Sequence, residues 1–193
     1  MPTLPARTLS RRALLTALTS TLAVVATRSL QVQAADAGDD VEARLRALGL
    51  ELPQLAPAVA NYVPFVRDGD RVYIAGQLPV AAGTLLHPGK VPTEVSLEQA
   101  QQAARQCALN VLAALKRACD DDLNRVRRCL RLEGFVASAD DFQQQSLVMN
   151  AASDLMVDVF ADKGRHTRVA VGVNSLPLNA CVEISAIFAI NQV

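Results

Sequence analysis

SLEQAQQAARQCALNVLAALKRA, residues 96–118, is the stretch of this sequence from which the fold can be worked out. Its first four residues form a capping-box pattern, in which the hydroxyl of Ser96 and the side chain of Gln99 satisfy free amides at a helix start. Apolar residues then recur at spacings of three and four, at Leu97, Ala100, Ala104, Cys107, Val111, Leu115 and Ala118. This periodicity predicts one long amphipathic helix that packs its apolar stripe on a sheet.

Two β-rich segments precede this helix and predict a hairpin. Residues 62–67 (YVPFVR) and 71–75 (RVYIA) flank Asp68-Gly69-Asp70, a typical turn sequence. Gly76-Gln77-Leu78-Pro79 ends the second strand. Residues 81–93 contain two glycines and two prolines and are predicted to be a loop.

The chain after the long helix predicts a strand, a second helix and two final strands. Alternating apolar and charged residues indicate a strand over residues 125–136, and residues 138–141 (SADD) offer N-caps for a helix that Lys163-Gly164 terminates. The last β-rich segments are residues 167–173 and 180–190. The resulting order fits an α+β (α/β) domain, with one mixed sheet and both helices on the same face. Its other sheet face needs a cover, which a second copy of the chain in a closed oligomer would supply.

The first forty residues are predicted to direct export. Two arginines, Arg11 and Arg12, precede a fifteen-residue hydrophobic stretch at residues 13–27, which is too short to span a bilayer comfortably. We interpret residues 1–34 as a signal peptide of the twin-arginine type, cleaved near Ala34, that leads to the periplasm and leaves no stable membrane anchor. An uncleaved anchor or a short amphipathic segment is the alternative. Residues 35–54 are predicted to be a linker with a short helix over residues 41–48, and residues 55–193 the main domain.

Composition argues against several functions. The formal net charge is zero, aromatic residues make up 4% of the chain and Trp is absent, so neither phosphate-backbone binding nor base stacking is favoured. The four cysteines form no CxxC pair and no Cys/His cluster with zinc-site spacing, and we expect them to be buried. No metal and no cofactor is predicted.

Three segments together resemble the Rid/YjgF family, also described as chorismate-mutase-like and labelled endoribonuclease L-PSP. They are residues 61–63 (NYV) with 74–79 (IAGQLP), residues 165–173 (RHTRVAVGV), and Leu176-Pro177 leading to residues 182–184 (VEI). The resemblance runs from about residue 55 to the end of the chain. It implies a homotrimer with a cleft at each subunit boundary. It also implies hydrolysis of reactive 2-imino acids, derived from 2-aminoacrylate, to 2-keto acids and ammonia.

The resemblance also implies roles for individual residues. Arg168 stands where the family places the arginine that binds the substrate carboxylate, and Glu183 where it places the glutamate that positions or activates water. Tyr62 matches the tyrosine that lines the cleft, Gly76 the glycine that lets the backbone approach the ligand, and Asn150 an asparagine near the site. Arg168 and Glu183 are therefore the predicted catalytic pair.

Two departures from the family pattern keep a second function open. Ala75 stands where the deaminating members usually carry Ser or Thr. Ala170 stands where they usually carry Cys. Two functions are therefore predicted as alternatives. The first is a hydrolase that deaminates imines or enamines. The second is a non-catalytic trimer that binds small carboxylate ligands or protects proteins. Endoribonuclease activity is disfavoured by the neutral charge and by the spacing of His87 and His166, which suggests no catalytic pair.

Overall fold

The computed structural model describes residues 40–54 and 61–191. The predicted signal peptide, the linker up to residue 39 and the predicted start of the main domain at residues 55–60 lie outside the described residues. In the described part of the chain, no helix has both the length and the apolar character that a membrane crossing requires.

The described part of the chain forms a five-stranded mixed sheet, a small second hairpin and three α-helices. The elements, in chain order, are α1 (Val41–Ala47), β1 (Phe65–Asp68), β2 (Arg71–Gln77), β3 (Val80–Ala81), β4 (Thr84–Leu85), α2 (Leu97–Ala118), β5 (Val126–Ala137), α3 (Gln145–Phe160), β6 (Thr167–Val173) and β7 (Val182–Ile190). The strand order is β1-β2-β7-β5-β6. Only the pairing of β5 with β6 is parallel among the described strands of this sheet. The predicted mixed sheet is therefore confirmed.

Most predicted elements are present, with two corrections. The segment predicted to be a loop at residues 81–93 takes part in the β3–β4 hairpin, in which Gly83 adopts a φ of +79° at the turn. The predicted caps at residues 138–141 are also wrong, because α3 begins at Gln145 and no side chain caps it. The amide of Ala137 instead donates to the carbonyl of Cys181, and the amide of Ser138 donates to the carbonyl of Val173. The hydrogen bonds of the sheet therefore continue to Ser138, where a helix cap was predicted.

The capping box of α2 is confirmed by both of its hydrogen bonds. The amide of Gln99 donates to Ser96 Oγ at 3.2 Å, and the amide of Ser96 donates to Gln99 Oε1 at 2.9 Å. The short helix predicted at residues 41–48 is also present, and its chain turns away at Gly49 with a φ of +64°. Val41 and Leu45 of this helix are buried in the same core as α2 and α3.

Both long helices pack on one face of the sheet. Helix α2 lies against β2 and β7, whereas α3 lies against β5 and β6. The core between the layers contains large buried side chains from the sheet and the helices, among them Leu112, Leu132, Leu155, Ile184 and Phe188, and it also contains all four cysteines, which are unpaired. The opposite sheet face carries exposed apolar side chains, including Val66 at 52% and Val171 at 41% exposure.

Candidate functional site

The predicted carboxylate-binding residue, Arg168, projects from β6 toward α3. Its Nη1 donates to Asn150 Oδ1 and to Ser153 Oγ, each at 3.0 Å. Both acceptor oxygens belong to uncharged side chains. Within residues 40–54 and 61–191, no carboxylate forms an ion pair with the Arg168 guanidinium. Arg168 is exposed. The structure thus brings Arg168 and Asn150 together and leaves most of the arginine's donors available for an anion.

Ser153 connects Arg168 to His166. Ser153 Oγ lies 3.1 Å from His166 Nε2, and His166 Nδ1 lies 2.6 Å from the carbonyl oxygen of Gly164. A carbonyl can only accept, so Nδ1 carries the ring proton and Nε2 accepts from the serine hydroxyl. Burial lowers the pKa of His166, the bond to Gly164 opposes this, and the charge of Arg168 lowers it further, which favours the neutral ring. We call Arg168, Asn150, Ser153 and His166 the arginine cluster.

Neither Ser153 nor His166 was predicted to be a site residue. His166 directly precedes β6 and is two positions from Arg168, and alternate residues of extended chain share one face, so this spacing could have indicated His166. Nothing in the sequence, however, indicates that Ser153 of the preceding helix lies between them.

The predicted water-activating residue, Glu183, lies on β7 beside Gly76 of β2. The register between these strands shifts after Ile74, so that Ala75 and Gly76 together oppose one residue in a β-bulge. A Cβ atom at Gly76 would lie 1.9 Å from Glu183 Oε1, which means that the carboxylate occupies the space a side chain would need. Tyr62, which is exposed, lies at the same end of the sheet, since the carbonyl of Pro64 accepts from the amide of Ala75 at 3.0 Å. We call Glu183, Gly76 and Tyr62 the glutamate cluster.

The carboxyl group of Glu183 is half-buried. Burial raises its pKa above the usual value of 4.5. In the described part of the chain it accepts no hydrogen bond and forms no ion pair, although a half-buried carboxylate is stabilised by such partners. It is therefore placed to take a hydrogen bond from a ligand or a water molecule.

The two clusters lie on opposite faces of the sheet. On β5, which separates β6 from β7, Arg168 is opposite Leu132 and Glu183 is opposite Phe135. Because Leu132 and Phe135 are three positions apart, the two site residues point to different faces. Across the sheet they are two strand spacings, or about 10 Å, apart, and their offset of three positions adds about 10 Å along the strands. One subunit therefore does not bring the predicted catalytic pair together.

The two alanines that depart from the family pattern present no polar side chain to either cluster. Ala170 lies on the same face of β6 as Arg168 and packs against the core. Ala75 adjoins Gly76 in the bulge, and its carbonyl accepts from the side chain of Gln77 at 3.1 Å. Ala75 and Ala170 therefore contribute only backbone atoms and a methyl group each to their surroundings.

Three of the four arginines in β5 and the turn before it form ion pairs. Arg125 pairs with Asp120, Arg127 with Asp70 at 2.6 Å, and Arg131 with Glu133 at 2.7 Å. These ion pairs weaken the case for a polyanion-binding surface on this strand. Among the described residues, no three His, Cys, Asp or Glu side chains are grouped so that they could hold a metal ion.

The architecture is that of small α+β proteins in which two helices cover one side of a mixed sheet. Residues 42–190 match the family described as "YjgF/chorismate mutase-like, putative endoribonuclease". The chain belongs to this family.

Solved structures of similar proteins agree with this assignment. The chain is 46% identical to protein Atu1372 of Agrobacterium tumefaciens, described as of unknown function, with a TM-score of 0.74 over 81% of this chain and 97% of that one. It is 33% identical to a putative endoribonuclease of Shewanella oneidensis, with a TM-score of 0.75 over 78% and 99% of the two chains. Escherichia coli TdcF, solved with bound serine, is 25% identical, with a TM-score of 0.52 over 72% and 94%.

Proposed function

We propose that this chain forms a homotrimer whose clefts hydrolyse 2-imino acids to 2-keto acids and ammonia, each cleft combining the arginine cluster of one subunit with the glutamate cluster of its neighbour. The observation that carries the proposal is the state of Arg168, an exposed arginine held by two neutral oxygens and paired with no described carboxylate. A guanidinium fixed in this way is ready to bind a carboxylate through two parallel hydrogen bonds.

Assembly would explain two features of the isolated subunit. The uncovered sheet face exposes Val66, Tyr73, Val169 and Val171, and a second copy would remove these side chains from water. The clusters face opposite ways, and a closed ring presents different faces of neighbouring subunits to each other. The number of three subunits follows from the resemblance to trimeric Rid/YjgF proteins.

The ligand class is a small molecule with a carboxylate next to the reacting carbon. Arg168 would hold that carboxylate, and Asn150 would fix the guanidinium on the side away from the ligand. The serine bound to TdcF is a ligand of this kind, with a carboxylate and a nitrogen on the adjacent carbon, and it supports the same class here.

Glu183 would supply the basic group for hydrolysis. In the imine, water attacks the carbon of the C=N bond while the carboxylate of Glu183 accepts one water proton. Glu183 returns that proton to the imine nitrogen to give an aminoalcohol, and the hydroxyl proton of the aminoalcohol then passes to the same nitrogen as the C=O bond forms and ammonia leaves. A pKa raised by burial makes the carboxylate a better base near neutral pH.

A non-catalytic carboxylate receptor is the second candidate, because Ala75 and Ala170 leave the site without the polar side chains usual in deaminating members. An endoribonuclease has less support. His87 contacts Gln102 at 3.0 Å, whereas His166 contacts Ser153, so the two histidines are not paired for acid–base chemistry. Export to the periplasm stays a prediction of the sequence.

Separate readouts for Arg168 and Glu183 test the proposal. Arg168→Ala should weaken the binding of 2-oxobutanoate by about ten- to a hundredfold, which corresponds to the loss of a charge-assisted hydrogen bond. Arg165→Ala is the matched control, because Arg165 pairs with Asp162 at 3.2 Å outside the site. Its binding should equal that of the unmodified protein in calorimetric titrations.

Glu183→Gln should retain 2-oxobutanoate binding and slow ammonia release from a freshly generated imine by about a hundredfold or more. In the unmodified protein the rate should fall on acidification through a pKa above 4.5, since the basic form of Glu183 is lost there. If Glu183→Gln leaves ammonia release unchanged while Arg168→Ala abolishes binding, the protein is a receptor and the hydrolase proposal is wrong.

A further inference from the structure

We propose that Ser153 and His166 form a proton-sensitive support for Arg168, which holds the guanidinium for carboxylate binding while His166 is neutral and weakens when His166 is protonated. The inference rests on the proposed function, because it concerns the carboxylate-binding half of that site. Ser153 and His166 would be positioning residues, since they act on the ligand through Arg168.

While the His166 ring is neutral, every hydrogen bond in this support has one possible direction. The carbonyl of Gly164 accepts from His166 Nδ1 at 2.6 Å, and Nε2 then accepts a hydrogen bond from Ser153 Oγ at 3.1 Å. The serine hydroxyl donates to the histidine, so its lone pairs accept from Arg168 Nη1 at 3.0 Å. The orientation of Arg168 is thereby linked to the protonation state of a ring that the ligand does not touch.

Protonation of His166 disturbs this arrangement in two ways. Nε2 becomes a donor directed at Ser153 Oγ, so the serine proton must rotate away and Ser153 loses His166 as the acceptor that fixes its hydroxyl group. The ring also gains a positive charge about 6 Å or less from Nη1, across a single hydroxyl group, and like charges at that distance repel. Both effects loosen Arg168 in acid.

The other groups around His166 do not offset that charge. The 3₁₀ turn Ala161–Gly164, between α3 and β6, contributes the Gly164 carbonyl. Helix α3 contributes the Ser153 hydroxyl, and β6 contributes the like-charged Arg168. Of the charged residues before His166, Lys163 and Arg165 are both cationic, and Arg165 pairs with Asp162. On α3, burial raises the pKa of Asp158, Arg105 lowers it and Asp154 raises it. The transition should therefore fall below the usual histidine value of 6.5.

The first test is the pH dependence of pyruvate affinity, measured by calorimetry between pH 5 and 8. The Glu183→Gln variant should serve as the reference protein, because it removes the titration of Glu183 from the profile, and the ligand carboxylate stays ionised throughout this range. Affinity should decline by about three- to tenfold toward pH 5, the factor for losing one ordinary hydrogen bond.

Three further variants isolate the support. Ser153→Ala should lower the affinity at pH 8 by a similar factor and flatten the profile, and His166→Gln should also flatten it. His87→Asn is the matched control, because Asn tolerates the φ of +48° at this position, and it should keep the full pH dependence. An unchanged pH dependence in Ser153→Ala or His166→Gln would overturn the inference.

A second measurement needs no ligand. Nitrogen-15 NMR of the histidine rings should show His166 as the Nδ1–H tautomer, titrating below 6.5, and Arg168→Gln should raise its titration midpoint by removing the like charge. An Nε2–H tautomer would refute the support. If no variant binds pyruvate at any pH, the proposed function fails, while the tautomer and the titration still decide whether the support exists.

Discussion

At the scale of single residues, the candidate site consists of side chains that are held without being neutralised. Arg168 is fixed by Asn150 and Ser153 and keeps its charge, and Glu183 is half-buried beside Gly76 with no described partner. Unpaired charged groups cost stability, and they persist where a ligand or a second subunit supplies the missing partner. The sequence pointed to Arg168 and Glu183 through residue type and position. It could not indicate Ser153, whose role depends on how α3 and β6 pack together.

Gly76 provides a test at this scale, because its missing side chain makes room for the Glu183 carboxylate. A Cβ atom at position 76 would lie 1.9 Å from Oε1 and 2.8 Å from Cδ of Glu183, so the carboxylate must move. Gly76→Ala should slow imine hydrolysis by about ten- to a hundredfold. Its free energy of unfolding should change by less than about 1 kcal/mol, since the displaced group is the end of a flexible side chain.

The rate of ammonia release and a denaturant melt measure these two effects. The matched background is Glu183→Gln, in which adding Gly76→Ala should produce little further loss of rate, because both changes act on the same carboxylate. Independent, multiplicative losses in the double variant would show that Gly76 acts through something other than Glu183.

At the scale of elements, the sequence predicted features that depend on neighbouring residues, and it missed features that depend on pairing with distant residues or on very short strands. The Ser96–Gln99 capping box is complete within four residues, and α2 begins where it predicts. Ser138 also resembled a cap, but its amide bonds Val173 on another strand, and no local pattern reveals that pairing. The β3–β4 hairpin was missed because two-residue strands are too short to show alternation.

The turn between α3 and β6 should be sensitive to added volume. A Cβ atom at the buried Gly164 would lie 2.1 Å from the carbonyl oxygen of Met156, a backbone atom that cannot rotate away. Gly164→Ala should therefore lower the free energy of unfolding by about 1–3 kcal/mol and reduce the thermal midpoint by several degrees.

Gly134→Ala is a suitable comparison for Gly164→Ala, because its new Cβ atom would meet the sulfur of Met149 at 2.2 Å. The side chain of Met149 can adopt another rotamer, so the loss should be smaller. Equal losses of thermal midpoint in the two variants would contradict the distinction between backbone and side-chain neighbours.

At the scale of the whole molecule, the relative placement of Arg168 and Glu183 could not be predicted from the sequence. Alternation along each strand indicates which residues share a face within that strand. Whether Arg168 and Glu183 face the same way depends on the registers of β6 and β7 with β5, which are set by long-range pairing. That pairing places the two residues on opposite faces, and it makes a shared site between subunits the central claim about this protein.

Restoration of activity by mixed subunits tests this claim most directly. Arg168→Ala and Glu183→Gln should each be nearly inactive in imine hydrolysis when expressed alone. When the two variants are co-expressed in equal amounts, with native mass spectrometry confirming mixed trimers, about one interface in four should combine an intact Arg168 with an intact Glu183 from the neighbouring subunit. A site shared between subunits should restore roughly a quarter of the unmodified rate, whereas mixed trimers as inactive as either variant alone would contradict such a site.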